Sequence, residues 1–276
     1  MPALFHAVYT NARGDRAGYR EISPGPAPPW SRDQGQRFSA WLRGLRPVHN
    51  APAWLFAKAG FRIGNEFFIA MARHRPMFST DEHGRAAVLT HALLMPLDEG
   101  SPRMVETAML NEHRRLATAT DLAALRGLCC DHLETPSLSA NAFLELPEEQ
   151  VDGFFHTLAT GRYEALVVHD GDSVDLADFF ATVSAALPPR LRLSGGWQIG
   201  LETTAPPKGI LVNSLPTGMA ERLPAENVPA ISSVRCRRAL RKLAQAGALE
   251  RINNEWLIRS WKNFLDQVER LAESQG

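Results

Sequence analysis

The chain predicts an α+β fold: a mostly antiparallel, β-rich first domain with helices, a small α/β layer, and a mainly helical C-terminal region. Three observations predict it. Leu4–Thr10 with Gly18–Ile22, and Asn65–Phe78 with Ala86–Met95, are apolar or β-rich arms joined by polar, glycine-bearing turns, the pattern of antiparallel hairpins. From residue 147 onward helical and strand patterns alternate. Two segments near 231–246 and 259–273 then carry helical periodicity to the end. The division that follows is 1–135, 136–216 and 217–276.

Taken in order, Ser23–Trp30 holds four prolines and reads as a surface connection, because proline removes a donor and fixes φ. Ser31 to Leu45 has helical spacing, with Phe38, Trp41, Leu42 and Leu45 on one side and Ser31 or Asp33 as the cap. Residues 52–62 form an apolar candidate strand. Arg103–Leu116 and Asp121–Leu128 read as helices, and breaks follow at Thr135-Pro136-Ser137 and Leu146-Pro147. Glu148–Leu158 and Val174–Leu187 are expected helices, and Tyr163–His169, Leu191–Thr204 and Ile210–Leu215 expected strands. Ser194-Gly195-Gly196-Trp197 then falls inside a strand, as a bulge or bend. Pro216 to Pro229 is a linker.

At 276 residues the chain is long enough for one large domain or two modest ones, at roughly 100–200 residues each. Lys+Arg and Asp+Glu both number 30, so no overall field draws it toward nucleic acid or anionic lipid. The first residues lack the basic and long apolar regions of a signal peptide, and no apolar run nears the roughly 20 residues of a membrane helix. Cys129 and Cys130 are adjacent and Cys236 stands alone. An odd cysteine count without C-x-x-C spacing suits free thiols in a reducing compartment. The expectation is a cytoplasmic protein with no membrane contact, no metal ligands and no cofactor.

Strand alternation places His6 with Leu4, Val8 and Thr10, and turns Tyr9 the other way with Phe5 and Ala7. His91 shares its side with Ala87, Leu89, Leu93 and Met95, and His74 with Phe68, Ala70 and Ala72. An imidazole among apolar neighbours must find a hydrogen-bond partner or lose its charge. One reading is a core histidine satisfied by backbone or hydroxyl. The other brings His6 and His91 together with Tyr9, Tyr19 and Arg85 on an anionic or nucleotide-like ligand, an imidazole serving as base and the arginine steadying phosphate.

Other motifs are weaker. Asn11–Gly18 is neither a P-loop nor a dinucleotide fingerprint and reads as a long turn. His169-Asp170-Gly171-Asp172 reads as a solvated turn. With no G-x-S-x-G or H-E-x-x-H present, no catalytic set can be assigned and the balance points away from an enzyme. Val234–Leu243 holds five basic residues. Arg235, Arg238, Arg241 and Lys242 fall on an outward face suited to an acidic partner, and the apparent hairpin at 247–258 adds a faint winged-helix pattern.

His6-Ala7-Val8-Tyr9-Thr10 with Gly18-Tyr19, and Asp81-Glu82-His83-Gly84-Arg85 followed by Thr90-His91-Ala92-Leu93-Leu94, resemble the amino-terminal domain of the GTPase-associated protein family. That family is encoded beside small GTPases in bacterial conflict and defence-like systems. Leu187–Ser194 resembles its middle domain, so the resemblance spans roughly residues 1–215. The chain departs from the family pattern at Gly195-Gly196-Trp197-Gln198, where an aromatic-and-threonine run is expected. The resemblance implies a partner role and carries over no catalytic residues. The expected function is a non-catalytic adaptor or regulatory component that binds a small GTPase or a co-encoded system protein. The alternatives are a nucleotide-like ligand sensor or nucleotide-processing enzyme, and nucleic-acid binding through the basic helix.

Overall fold

Alternating apolar residues on long strands leave two faces to bury, and the molecule covers both. The structure, a computed structural model, describes residues 4–11, 20–21, 30–47, 55–81, 83–98, 101–160, 165–169, 173–203, 210–216, 231–252, 258 and 260–275. The first-half strands are β1 (Phe5–Thr10), the two-residue β2 (Arg20–Glu21), β4 (Leu55–Ile63), β5 (Glu66–Thr80) and β6 (Ala86–Pro96). With β7 (Ala165–His169), β8 (Gly195–Ile199) and β10 (Ile210–Pro216) they form one sheet of order β2-β1-β6-β5-β4-β8-β10-β7. Pairing is antiparallel from β2 through β8 and parallel for β8, β10 and β7. The α+β class expected from the sequence is therefore observed. A second, two-stranded sheet joins β3 (Leu45–Pro47) to β9 (Leu201–Thr203).

Gly64 and Asn65 make the tight turn between β4 and β5, and Gly64 adopts φ 61°, a left-handed conformation that favours glycine. The β5–β6 hairpin matches its expected arms closely. Asp81 accepts from the backbone N–H groups of His83 and Arg85 and so closes its turn.

One face of the sheet packs Tyr9, Ala57, Phe61 and Phe68, with Leu45 of β3, against α1 (Gln36–Gly44), whose Phe38, Trp41 and Leu42 are buried as the spacing predicts. The cap differs from expectation: Gly35 is the N-cap without a side-chain bond. Ser31 and Gln34 instead bond each other's backbone N–H one turn earlier, as a capping box does.

The opposite face carries α2 (Val105–Arg115), α3 (Leu122–Leu128), α4 (Ala140–Leu144), α5 (Glu148–Thr160), α6 (Ser173–Ala185), α7 (Pro189–Ser194), α8 (Ile231–Gln245) and α9 (Trp261–Glu273). Residues 191–194 are helical, not strand. Pro188 and Pro189 occupy the N-cap and first helical positions, where a missing N–H costs nothing, so they start a helix at Leu-Pro-Pro. The strand begins at Gly195. Consequently Ser194-Gly195-Gly196-Trp197 is a helix-to-strand junction and not a bulge. Residues 12–19, 22–29, 170–172, 217–230 and 253–257, which hold Tyr19, most of the proline-rich connection, most of the Asp-Gly-Asp turn, the linker and the apparent hairpin's turn, lie outside the described residues.

Three charges are buried where β4, α2 and α7 meet. Glu106 accepts from Arg192 at 2.6 Å and lies 3.7 Å from Lys58 Nζ, all three at most 1% exposed. Lys58 also donates to the Gly195 and Arg192 carbonyls. Gly60, two residues along the same face of β4, is required because a Cβ there would sit 2.2 Å from the Leu193 carbonyl oxygen. No helix among the described residues is long and apolar enough to cross a membrane.

Removing one member of a buried charge set strands the others without compensation. Glu106→Gln is expected to lower the urea unfolding free energy by about 3–5 kcal/mol. Breaking the half-exposed Arg235–Glu269 pair with Arg235→Gln should cost less than about 1 kcal/mol. Comparable losses in the two variants would contradict this account of the core.

Candidate functional site

The helix-covered face of β1 and β6 is apolar except at Thr10, whose hydroxyl donates to the Val88 carbonyl, and at two histidines. Val8 pairs with His91 and His6 with Leu93, so the two histidines are diagonal neighbours on one face. Their rings stack, with centroids 5.3 Å apart and an interplanar angle of 21°. His113, in the last turn of α2, packs its ring edge-on to His91 at 5.4 Å. Each of the three is at most 3% exposed.

Hydrogen bonds assign the protons. His6 Nε2 lies 2.7 Å from the Cys130 carbonyl oxygen, which can only accept, so Nε2 carries the hydrogen and Nδ1 presents a lone pair. That lone pair faces His91 Nε2 at 3.1 Å and Cys129 Sγ at 3.3 Å. His113 Nε2 donates likewise to the Met71 carbonyl at 2.8 Å.

The cysteine segment is held from two sides. Cys129 caps α3, and Leu4 N–H donates to the Asp131 carbonyl, tying residues 129–131 to the start of β1. Arg115 grips Glu112 with two bonds of 2.8 and 2.6 Å and also donates to the Leu128 carbonyl. The Cys130 thiol donates to Glu112 and the His132 carbonyl, away from the imidazoles.

Burial keeps this cluster uncharged. His91 is driven well below its ordinary value by desolvation, then by the other imidazoles and by Arg75 and Arg73. His113 falls to about 3, chiefly through desolvation. His6 is lowered for the same reason, with Glu112 and Asp131 partly opposing. The Cys129 thiol rises to about 11 through burial and the Glu112 carboxylate. A neutral thiol beside a neutral imidazole is the reverse of the thiolate–imidazolium pair that a cysteine nucleophile uses. As donors, His6, His91 and Cys129 place one ligand atom each within 4.8 Å of one another.

The structure thus brings His6 and His91 together and adds Cys129 and His113. Tyr9 is buried on the opposite face, against the α1 core. Arg85 sits in the β5–β6 turn, paired with Asp81, six residues and so about 20 Å along the strand from His91. Of the basic residues on α8, Arg235 pairs with Glu269 and Arg241 with Glu148, whereas Arg238 and Lys242 are exposed. Arg237, inside the helix's buried face, is bound to Asp152 and Glu148. Strand parity signalled that His6 and His91 each face an apolar side. Nothing in the spacing signalled Cys129 or His113, which enter from separate elements.

Between pH 6.5 and about 4 the unfolded chain protonates His74 and His113 whereas the folded chain does not. Stability is therefore full above pH 6.5 and declines as pH falls. Each such histidine contributes about 1.4 kcal/mol per pH unit to the slope. Urea unfolding measured from pH 7 to 4.5 should show this decline, and His113→Gln should reduce the slope by about one proton. An unchanged slope would mean His113 titrates normally in the folded protein.

Comparison with protein-family models, curated proteins and solved structures finds no match to this chain.

Proposed function

We propose that the chain is a non-catalytic adaptor or regulatory component that binds a small GTPase or another co-encoded protein of a GTPase-centred conflict system. The resemblance of residues 6–10 with 18–19, 81–85 and 90–94 to the GTPase-associated family motivates the partner class. The observation that carries a binding role is on α8. Arg238 and Lys242 stand one helical turn apart, both exposed, and among the described residues neither makes an ion pair. Beneath them the helix is fixed by Arg237 to Asp152 and Glu148 and by Arg241 to Glu148. A rigid element presenting two uncommitted cations complements an acidic partner surface.

The alternatives have less behind them. A nucleotide-like site would need Tyr9 and Arg85 beside the two histidines, and these lie on another face and at the far turn. Nucleic-acid binding through α8 loses Arg237 to its buried ion pairs, which leaves a two-residue basic patch on a chain of balanced charge.

Titration of the purified chain with the small GTPase encoded beside it, in diphosphate and triphosphate states, is expected to give nucleotide-dependent binding. Arg238→Glu with Lys242→Glu should weaken that binding about tenfold at low salt while leaving the urea midpoint unchanged. No binding in any nucleotide state would count against the adaptor role.

A further inference from the structure

We propose that His6, His91 and Cys129 form a binding site for a borderline-soft divalent cation, with Zn²⁺ the best fit and one coordination position left to an external ligand. This site is independent of the adaptor reading and does not involve α8.

The donor set has zinc chemistry, two imidazole nitrogens and one thiol sulfur. Tetrahedral zinc with Zn–N of about 2.0–2.1 Å and Zn–S of about 2.3 Å sets N···N near 3.3 Å and N···S near 3.6 Å. The observed separations from His6 Nδ1 are 3.1 Å to His91 Nε2 and 3.3 Å to Cys129 Sγ. The third separation, His91 to Cys129, is no more than 4.8 Å. Closing it to about 3.6 Å asks at most about 1.2 Å of movement. Cys129, the half-buried member at the end of α3, is the one placed to supply it.

Proton placement favours the same conclusion. A zinc-bound histidine usually donates its other ring N–H to a backbone carbonyl or carboxylate, which fixes ring and tautomer. His6 does this through Nε2 to Cys130. Its Nδ1 has one lone pair, yet two groups approach it at hydrogen-bond distance, so hydrogen bonding alone leaves one of them poorly satisfied. A cation at the centre takes one lone pair from each of the three. On binding, an S–Zn bond replaces the Cys129 S–H and the thiol proton leaves to solvent.

The surrounding charges are mixed. Arg73 and Arg75 approach from β5, with Arg73 donating to the His113 carbonyl and Arg75 to that of Ala117. Glu112 approaches from α2 and Asp131 follows the cysteines, and the Cys129 thiolate itself adds a negative charge. Among the described residues no fourth His, Cys, Asp or Glu joins the group. Three protein ligands with one free position is the coordination of zinc sites that take up an exchangeable ligand.

The test uses the full chain, stripped with a chelator and titrated with Zn²⁺ against a chromophoric competitor, and separately with Co²⁺ and Mg²⁺. One Zn²⁺ per chain, a raised melting temperature, a thiolate-to-cobalt charge-transfer band and no response to Mg²⁺ are expected. Cys129→Ser should weaken Zn²⁺ binding by more than about a hundredfold, beyond the usual cost of altering a residue behind the ligands. The Cys130→Ser, Cys236→Ser double variant should keep both the affinity and the cobalt band. The cobalt spectrum of the unaltered chain needs no variant to fold. Absence of the thiolate band, or equal zinc affinity after Cys129→Ser, overturns the proposal.

Discussion

The Glu106 carboxylate, held between Arg192 and Lys58, is the contact on which the helix-covered side of the molecule depends. It sits in the first turn of α2, takes its partners from α7 and from the middle of β4, and is fully buried. Burying three charges is costly unless each is bonded. Here Arg192 is spread over Glu106 and the Pro102 carbonyl, and Lys58 over two carbonyls at the end of α7. Lys58 still falls to about 8 because burial outweighs the pull of Glu106. Such a junction tolerates one geometry only. Gly60 shows how close that geometry is, since α7 lies against β4 with no room for a methyl group.

The same junction decides where the imidazole cluster forms. Glu106 and His113 are seven residues apart on α2, two turns along one stripe of the helix, about 10 Å from end to end. One end of the stripe is fixed by Glu106, and the other by His113 donating to Met71 and accepting, through its carbonyl, from Arg73. Met109 and Leu110 fill the interval with hydrocarbon. Polar contacts at both ends set the rotation of α2 about its axis, and that rotation carries Glu112 and Arg115 around to the cysteine segment.

Much of this architecture was legible from residue patterns, and the failures have physical causes. The β5–β6 hairpin, the inward face of α1 and the alternation at His6 and His91 could be read because period and turn chemistry agree locally. The helix at 189–194 could not. Its apolar residues suit a buried strand equally well, and only the paired prolines at its start favour helix. The continuation of the sheet from β4 into β8 was invisible for another reason. It joins residues 56–58 to 197–199 across more than half the chain, and pairing at that distance leaves no local mark. The site divides in the same way. Parity gave each histidine a face, but their meeting depends on the β1–β6 register, and Cys129 arrives through a helix end tied back to Leu4.

The character of the cluster follows from what burial permits. Three imidazoles kept near one another and away from water must remain neutral, because a proton on any one would be desolvated and repelled by Arg73 and Arg75. Neutral imidazoles lose the value of histidine as a titrating switch near pH 7 but keep their lone pairs. A thiol pushed upward by the same burial loses its reactivity as a nucleophile but can still release its proton to solvent when a cation binds the sulfur and supplies the charge that the protein withholds. The environment that argues against acid–base or nucleophilic chemistry at His6, His91 and Cys129 is thus consistent with coordination. In the interior of a sheet packed by helices, lone pairs without charge are what such residues have left to offer.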